Sequence, residues 1–258
     1  MQIPDDYYQH KAIQKVFKLT KILKFIMGKV PRHVGIILDG NRRFSKRLML
    51  KPWMGHEWGA RKVEKLFDWA KELDIKELTL YAFSVENFNR PKEEFDYLMK
   101  VFEKEFERTL QDERIHKDRI RINFIGRIEM FPKAVKEKMY RLMEMTKGYD
   151  NHIVNFAMAY GGRAEIIDAT KKVAEMVKEG KLTVDQINEE VFGKKLYMES
   201  EPDLIIRTSG EQRISGFLLW QSSYAEFYFC PKLWPEFEKE DLVKAIEDYN
   251  SRQRKFGK

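Results

Sequence analysis

Val34-Gly35-Ile36-Ile37-Leu38-Asp39-Gly40-Asn41-Arg42-Arg43-Phe44-Ser45-Lys46-Arg47 is the stretch on which the fold turns. It begins as an apolar run of strand character, Val34 to Leu38, and stops at an acid, a glycine and an amide. Guanidinium and hydroxyl groups follow. In an α/β sheet, ligands bind outside the carboxyl ends of the strands, where loops and helix N-termini offer unpaired N–H groups to an anion. Asp39 would then stand at a strand end, Gly40 would let backbone approach a ligand closely, and Arg42, Arg43 and Lys46 would bring positive charge. An acid among so many cations suits a metal-bound phosphate ester. The alternative is an ordinary strand-to-helix turn, with Asp39 as a cap and the arginines in solvent.

Working outward, Pro52 to His56 reads as a loop and 57–73 as a helix with Val63, Leu66, Phe67 and Ala70 on one face. His56 falls at or just before that helix, facing the rim of Asp39 or serving a structural role. Glu77 to Phe83 is a second apolar run, and it too ends in polar residues: Ser84, Glu86, Asn87, Asn89 and Arg90 before Pro91. Two strand ends of the same character suggest one shared site. Residues 92–110 read as a helix whose apolar stripe is Phe95, Leu98, Met99, Phe102 and Phe106, which by default means core. Ile120 to Ile125 and Ile153 to Ala159 are further strands, each followed by a helix, after Pro132 and after Gly162.

A fifth strand, Asp203 to Ile206, runs into Arg207-Thr208-Ser209-Gly210-Glu211-Gln212-Arg213-Ile214-Ser215. Arginine forks match phosphate oxygens, and hydroxyls and turn N–H groups complete such a cradle, so a second anion site is expected here. Glu226 opens the last strand, Phe227 to Cys230, as a metal ligand or as a strand-end acid in solvent. Asp241 to Arg254 reads as an amphipathic helix with a basic tail. Repeated strand–helix alternation predicts the α/β class: one domain with a mostly parallel central sheet flanked by helices.

The chain has 258 residues, 43% of them hydrophobic, enough for a sizeable core. Its 48 Lys and Arg against 41 Asp and Glu give a net charge of +7, which favours anionic partners. Cys230 is the one cysteine, which excludes an internal disulfide and a cysteine-rich metal site, and suits a reducing cytoplasm. The 18 Phe, 11 Tyr, 5 Trp and 12 Met suit an apolar cavity or an aromatic-rich core. No run of eighteen apolar residues marks a membrane span. Within residues 1–30, the part from 11 to 29 carries six lysines and no acid, with Ile13, Val16, Phe17, Leu23 and Met27 at helical spacing. Such a basic amphipathic helix suits a peripheral membrane contact, or packing on its own domain.

Taken together, the motifs resemble the cis-prenyltransferases, the undecaprenyl and dehydrodolichyl diphosphate synthases, from His33 to Gly257. The pieces are His33 to Phe44, Gly55-His56, Leu80-Tyr81-Ala82-Phe83-Ser84-Val85-Glu86-Asn87-Phe88-Asn89-Arg90-Pro91, Tyr160-Gly161-Gly162-Arg163, and Asp203 to Glu211 through Glu226. The resemblance implies sequential addition of isopentenyl diphosphate to an allylic diphosphate primer, farnesyl or geranylgeranyl diphosphate, with each new double bond cis. The product would be a long lipid carrier for glycosylation. It further implies Mg²⁺, a homodimer and a hydrophobic tunnel for the growing chain, with Phe95, Leu98, Met99, Phe102 and Phe106 as candidate walls. By the family pattern, Asp39 manages Mg²⁺ and the ionising primer, and Glu226 contributes to the metal site. Gly40, Asn41, Arg42, Arg43, Phe44, His56, Phe88 and Arg90 hold the primer end. Ser84 and Asn87 act in or beside proton removal, and Arg207, Arg213 and Ser215 hold isopentenyl diphosphate.

Departures follow the eukaryotic and archaeal branch: Arg42 and Phe44 stand where many bacterial enzymes have Gly and Trp. Pro52 replaces an extra arginine, which leaves the primer open. Lys255-Phe256-Gly257 replaces the Arg-x-Gly that reaches the partner's site, so the charge stays while the fork is lost. Four rivals fit less well. A non-catalytic partner subunit would lose catalytic residues that this chain keeps. A nucleic-acid binder needs a continuous basic stripe, whereas these arginines follow separate strands beside acids. A nucleotide hydrolase needs a Gly-x-x-x-x-Gly-Lys-Ser/Thr loop, which the chain lacks, and a trans synthase needs paired aspartate-rich motifs.

Overall fold

The structure, a computed structural model, describes residues 29–252. The basic helix expected within residues 1–30 falls almost wholly outside them, as does Lys255-Phe256-Gly257. Six strands form one all-parallel sheet in the order β3-β4-β2-β1-β5-β6. They are β1 (His33–Ile37), β2 (Glu77–Ser84), β3 (Ile120–Ile125), β4 (His152–Tyr160), β5 (Leu204–Arg207) and β6 (Glu226–Phe229). The helices between and after them are α1 (Asn41–Arg47), α2 (Gly55–Leu73), α3 (Lys92–Leu110), α4 (Glu113–Lys117), α5 (Lys133–Thr146), α6 (Gly162–Lys178), α7 (Glu189–Gly193) and α8 (Lys239–Ser251).

A parallel sheet covered on both faces needs near-continuous apolar strands, and β1 and β5 are buried at every position. Successive side chains point to opposite faces. Val34, Ile36, Leu80, Leu204 and Ile206 join a core with Leu66 of α2, Leu98 of α3, Leu142 of α5 and Ile246 of α8. Ile37, Ala157 and Ile205 join a second cluster with Tyr160, Phe217 and Leu218. The single-domain α/β expectation and its parallel sheet therefore hold, with strand ends shifted by one residue in places.

α1 was expected only in the alternative reading, as a helix capped by Asp39; its N-cap is instead Gly40, with no side-chain cap. The helix carries four basic residues and one aromatic in seven positions, so no apolar periodicity announces it. Packing makes it. Gly40 has φ +116°, and a Cβ there would lie 2.9 Å from Leu233, so only glycine turns the chain from β1 into α1. A Cβ on Gly59 would lie 2.3 Å from the Asn41 side-chain oxygen, so α2 docks directly on the start of α1.

Candidate active site

Because every strand runs the same way, the residues that follow β1, β2 and β5 share one edge. Asp39, Ser84 and Arg207 meet there around a cavity of about 710 Å³, within the ~300–1,000 Å³ usual for small-molecule sites. Its apolar walls are Val63 and Phe67 of α2, Leu98, Phe102 and Phe106 of α3, and Phe83, Phe156 and Met158 of the sheet. From His56 to Lys71, both on its lining, α2 spans about 22 Å at ~1.5 Å per residue. Three of the five proposed wall residues line the cavity; Phe95 and Met99 pack beside it in the core.

Asp39 is the hub. Arg207 Nη2 donates to its Oδ2 at 2.8 Å, and Arg43 Nη2 stands 3.5 Å from the same oxygen. Thr208 Oγ1 fixes the Asp39 carbonyl at 2.6 Å. Burial alone would push the Asp39 carboxyl up, but the Arg207 hydrogen bond and the nearby Arg207 and Arg43 charges outweigh it and hold it below the usual carboxylate range. The carboxylate is ionised at neutral pH.

Two basic recesses flank it. The first, beside the cavity, is lined by Gly40, Asn41, Arg42, Arg43, Lys46, His56 and Arg90, with Asp39 on its wall. Arg90 Nη1 lies 3.3 Å from His56 Nε2 and donates to Glu94 Oε1 at 2.8 Å. Desolvation, then the Arg90 and Arg42 charges, push the imidazole down to about 3, so His56 is neutral and its Nε2 accepts. Glu94, 1% exposed, also faces Arg42 Nε at 3.6 Å. The second recess holds Arg207, Arg213 and Ser215, all on the cavity lining. Arg207 is 6% exposed. Its Nη1 donates to Ser215 Oγ at 2.9 Å and to the Arg213 carbonyl, while its buried Nε has no protein partner. A buried guanidinium N–H left unpaired in this way is ready for an anionic ligand.

Ser84 and Asn87 face the cavity between the recesses. They lock each other: Asn87 Oδ1 accepts from the Ser84 backbone at 3.1 Å, and the Ser84 side chain caps the Asn87 N–H.

Three expected site residues lie elsewhere. Phe44 packs its ring on Trp58 at 5.9 Å and belongs to neither recess. Phe88 turns inward against Phe83, Phe95 and Phe131 at 5.1–5.7 Å. Glu226 sits at the opposite edge of the sheet. It pairs in register with Leu204, whereas Phe229 pairs with Arg207, so within one chain Glu226 stands a full strand, ~10 Å, from the Asp39 end. Its carboxylate accepts from Arg252 Nη1 at 2.8 Å. Among the described residues, no group of three or more His, Cys, Asp and Glu could hold a metal ion.

Two contributors were not anticipated. Glu94 orders both Arg90 and Arg42, and its i,i+4 spacing from Arg90 was the available signal. Tyr81, stacked on Phe217 at 5.0 Å, donates its hydroxyl to the Tyr160 carbonyl at 3.2 Å. Burial, then Glu86, raises its pKa, so it stays a protonated donor on the cavity wall.

Residues 37–257 match the family described as "Putative undecaprenyl diphosphate synthase". The chain is 48% identical to a tritrans,polycis-undecaprenyl-diphosphate synthase (geranylgeranyl-diphosphate specific) of Methanocaldococcus jannaschii, over 98% of this chain and 93% of that protein. A protein of the same description from Pyrococcus horikoshii is 44% identical, again over 98% and 93%. Among solved structures, lavandulyl diphosphate synthase from Lavandula x intermedia, in complex with dimethylallyl diphosphate, superposes with a TM-score of 0.85. It is 36% identical and covers 88% of this chain and 98% of its own. A probable undecaprenyl diphosphate synthase from Campylobacter jejuni superposes with a TM-score of 0.74 at 34% identity, covering 90% and 100%.

Proposed function

Since the chain belongs to the undecaprenyl diphosphate synthase family and is thus a transferase of the cis-prenyltransferase kind, we propose that it adds isopentenyl diphosphate units to geranylgeranyl diphosphate. The primer follows the names of the archaeal relatives, and farnesyl diphosphate is the competitor. The product is a long-chain polyprenyl diphosphate, of undecaprenyl length as in those names, serving as a lipid carrier for glycosylation. One observation carries this: an ionised carboxylate, Asp39, stands between two basic recesses at the mouth of a deep apolar cavity.

The recess of Arg42, Arg43, Lys46, His56 and Arg90 takes the primer's diphosphate. Its cations stabilise the charge that develops as the allylic C–O bond breaks, in a site where fixed donors act without reorganising. Neutral His56 accepts from Arg90 and so aims that guanidinium. Arg207, Arg213 and Ser215 take the diphosphate of isopentenyl diphosphate. The new carbon–carbon bond forms between the recesses as the primer's C–O bond breaks and its diphosphate leaves, beside Ser84 and Asn87, which act in or beside removal of the proton from the isopentenyl unit. The lengthening hydrocarbon moves down past Phe83, Leu98 and Phe102.

Mg²⁺ fits this donor set in one way. A single ionised carboxylate beside two phosphate recesses matches an ion held by one or two carboxylates plus substrate phosphates, not by an all-protein cage. Asp39 would hold it, and when bound it would offset charge on the leaving diphosphate. We assign 31–258 as the catalytic unit and 1–30 as a basic amphipathic segment for peripheral membrane contact. A cytoplasmic homodimer completes the reading.

The test is incubation with labelled isopentenyl diphosphate, Mg²⁺ and, separately, geranyl, farnesyl or geranylgeranyl diphosphate. A ladder of long products from geranylgeranyl diphosphate is expected. No incorporation with any primer would overturn the assignment.

A further inference from the structure

The turn after α1 holds apolar side chains where the fold gives them nothing to pack on. Met49 sits in the left-handed region, φ +55°, at the place where helices usually put glycine, yet its side chain is 95% exposed. Leu48 beside it is 48% exposed, and neither belongs to a core cluster. The turn itself is firmly closed. The Leu50 N–H donates to the Ser45 carbonyl at 3.0 Å and the Met49 N–H to the Lys46 carbonyl at 3.1 Å, the paired hydrogen bonds that end many helices. Two apolar side chains are thus held out in water on a rigid turn, one of them at a backbone cost that glycine would remove.

Their surroundings are basic. From Gly40 to His56 the chain carries five cations, Arg42, Arg43, Lys46, Arg47 and Lys51, and no acid. Arg47 and Lys51 meet Glu236 and Glu93 at 3.0 and 2.8 Å, but each of these two cations is 63% exposed, so the pairs are weak and open to exchange. Lys51 also lies over the Trp53 ring at 5.2 Å. Two side chains are too few for a stable protein interface, which buries ~1,200 Å² or more. Apolar tips ringed by cations and an aromatic fit a bilayer with anionic headgroups: the tips enter the acyl boundary while the cations meet the phosphates.

We propose that Leu48 and Met49 form a membrane-dipping tip that seats the first recess on an anionic lipid surface; that this recess takes the primer rests on the synthase reading above. The tip is distinct from the contact assigned to 1–30, because those residues precede β1 and α1 follows it, at the opposite edge of the sheet. Lys46, three residues before Met49, lines the recess, and α1 is only ~10 Å long at ~1.5 Å per residue. A primer with its tail in the bilayer presents its diphosphate within that reach.

The experiment measures sedimentation of the full chain with vesicles of phosphatidylglycerol and phosphatidylcholine in equal parts, and with phosphatidylcholine alone; it needs no turnover. The unaltered chain should bind the anionic vesicles and leave them at high salt. Met49→Gly should lower that affinity roughly 10-fold, the scale for burying one large apolar side chain, while its melting transition stays or rises because the backbone cost is gone. A readout at the tip separates this contact from residues 1–30. Met49→Cys in a Cys230→Ser chain, labelled with nitrobenzoxadiazole, should brighten and shift blue on anionic vesicles and not on neutral ones. A probe that stays in water while the protein sediments would overturn the proposal. So would an equal response on neutral vesicles, equal affinity of Met49→Gly and the unaltered chain, or no binding at all. A probe shielded before vesicles are added and released on dilution would mark a contact between copies and overturn it too. If the labelled chain fails to fold, the Met49→Gly comparison decides. A chain that binds through this tip but makes no product would refute the synthase reading alone, so the two failures are distinct.

Discussion

Both ends of the cavity are ringed with charge, yet the two rings differ in kind. At the sheet edge the cations outnumber the acids they touch. Arg207 is 6% exposed with an unpaired Nε, and Arg42, Arg43 and Lys46 crowd one recess. At the far end, each cation already has its acid, Arg108 with Glu64, Lys71 with Asp118 and Arg114 with Asp112. Cations gathered with too few acids repel one another until an anion arrives. Matched ones are stable as they stand. The same residue types thus make a binding site at one end and a set of closed pairs at the other, and charge balance decides which.

The largest effect should come from breaking the hub of the first ring. Asp39→Asn keeps the shape but removes the charge between the recesses. Turnover should fall by ~10²–10³-fold, the usual scale for losing one electrostatic contributor, with an unchanged melting transition; a steady-state assay of isopentenyl incorporation measures it. Arg207→Lys keeps the charge but loses the fork and its Ser215 contact. A lost charge-assisted hydrogen bond is worth ~1.5–3 kcal/mol, so the KM for isopentenyl diphosphate should rise roughly 10–100-fold while the primer's KM stays. Glu94→Gln should do the converse on a smaller scale. With Arg90 and Arg42 no longer held by a buried carboxylate, the KM for the primer should rise several-fold and that for isopentenyl diphosphate should not.

The smallest effect concerns stability. His56 in the folded protein titrates at about 3, below its ordinary value of 6.5. Between these values the unfolded chain binds the proton that the folded one refuses, so stability must fall as pH drops from 6.5 towards 3. At ~2–4 °C per kcal/mol for a domain of this size, scanning calorimetry should show a loss of several degrees. His56→Gln should flatten that slope, and an equal slope in both proteins would remove His56 from the account.

The sheet was legible because its strands are buried on both faces and read as unbroken apolar runs; the polar ends of β1 and β2 were grouped in one site, while the stretch after β5 was read as a second anion site, which the fold brings to the same rim. α1 was not legible: seven residues held by Gly40, Gly55 and Gly59 contacts have no periodicity of their own. Phe44 and Phe88 were drawn to the site by their neighbours in sequence, but in a short helix and in the turn after β2 adjacent side chains diverge, and these two rings found aromatic partners. Glu226 has a plainer cause. It opens its strand, and in an all-parallel sheet the first residue of a strand falls on the edge opposite those that end or follow strands. The ring of ion pairs at the cavity's far end could not be read at all, because Glu64, Arg108 and Asp118 are joined by folding, not by spacing.

The most direct measurement is a crystal structure of the protein with Mg²⁺, isopentenyl diphosphate and a non-ionising thio analogue of geranylgeranyl diphosphate. One diphosphate should lie against Arg42, Arg43 and Arg90, the other against Arg207, Arg213 and Ser215, and the hydrocarbon between α2 and α3 with its tip pointing towards Glu64 and Arg108. A hydrocarbon lying outside that cavity, or both diphosphates bound away from Asp39, would contradict it.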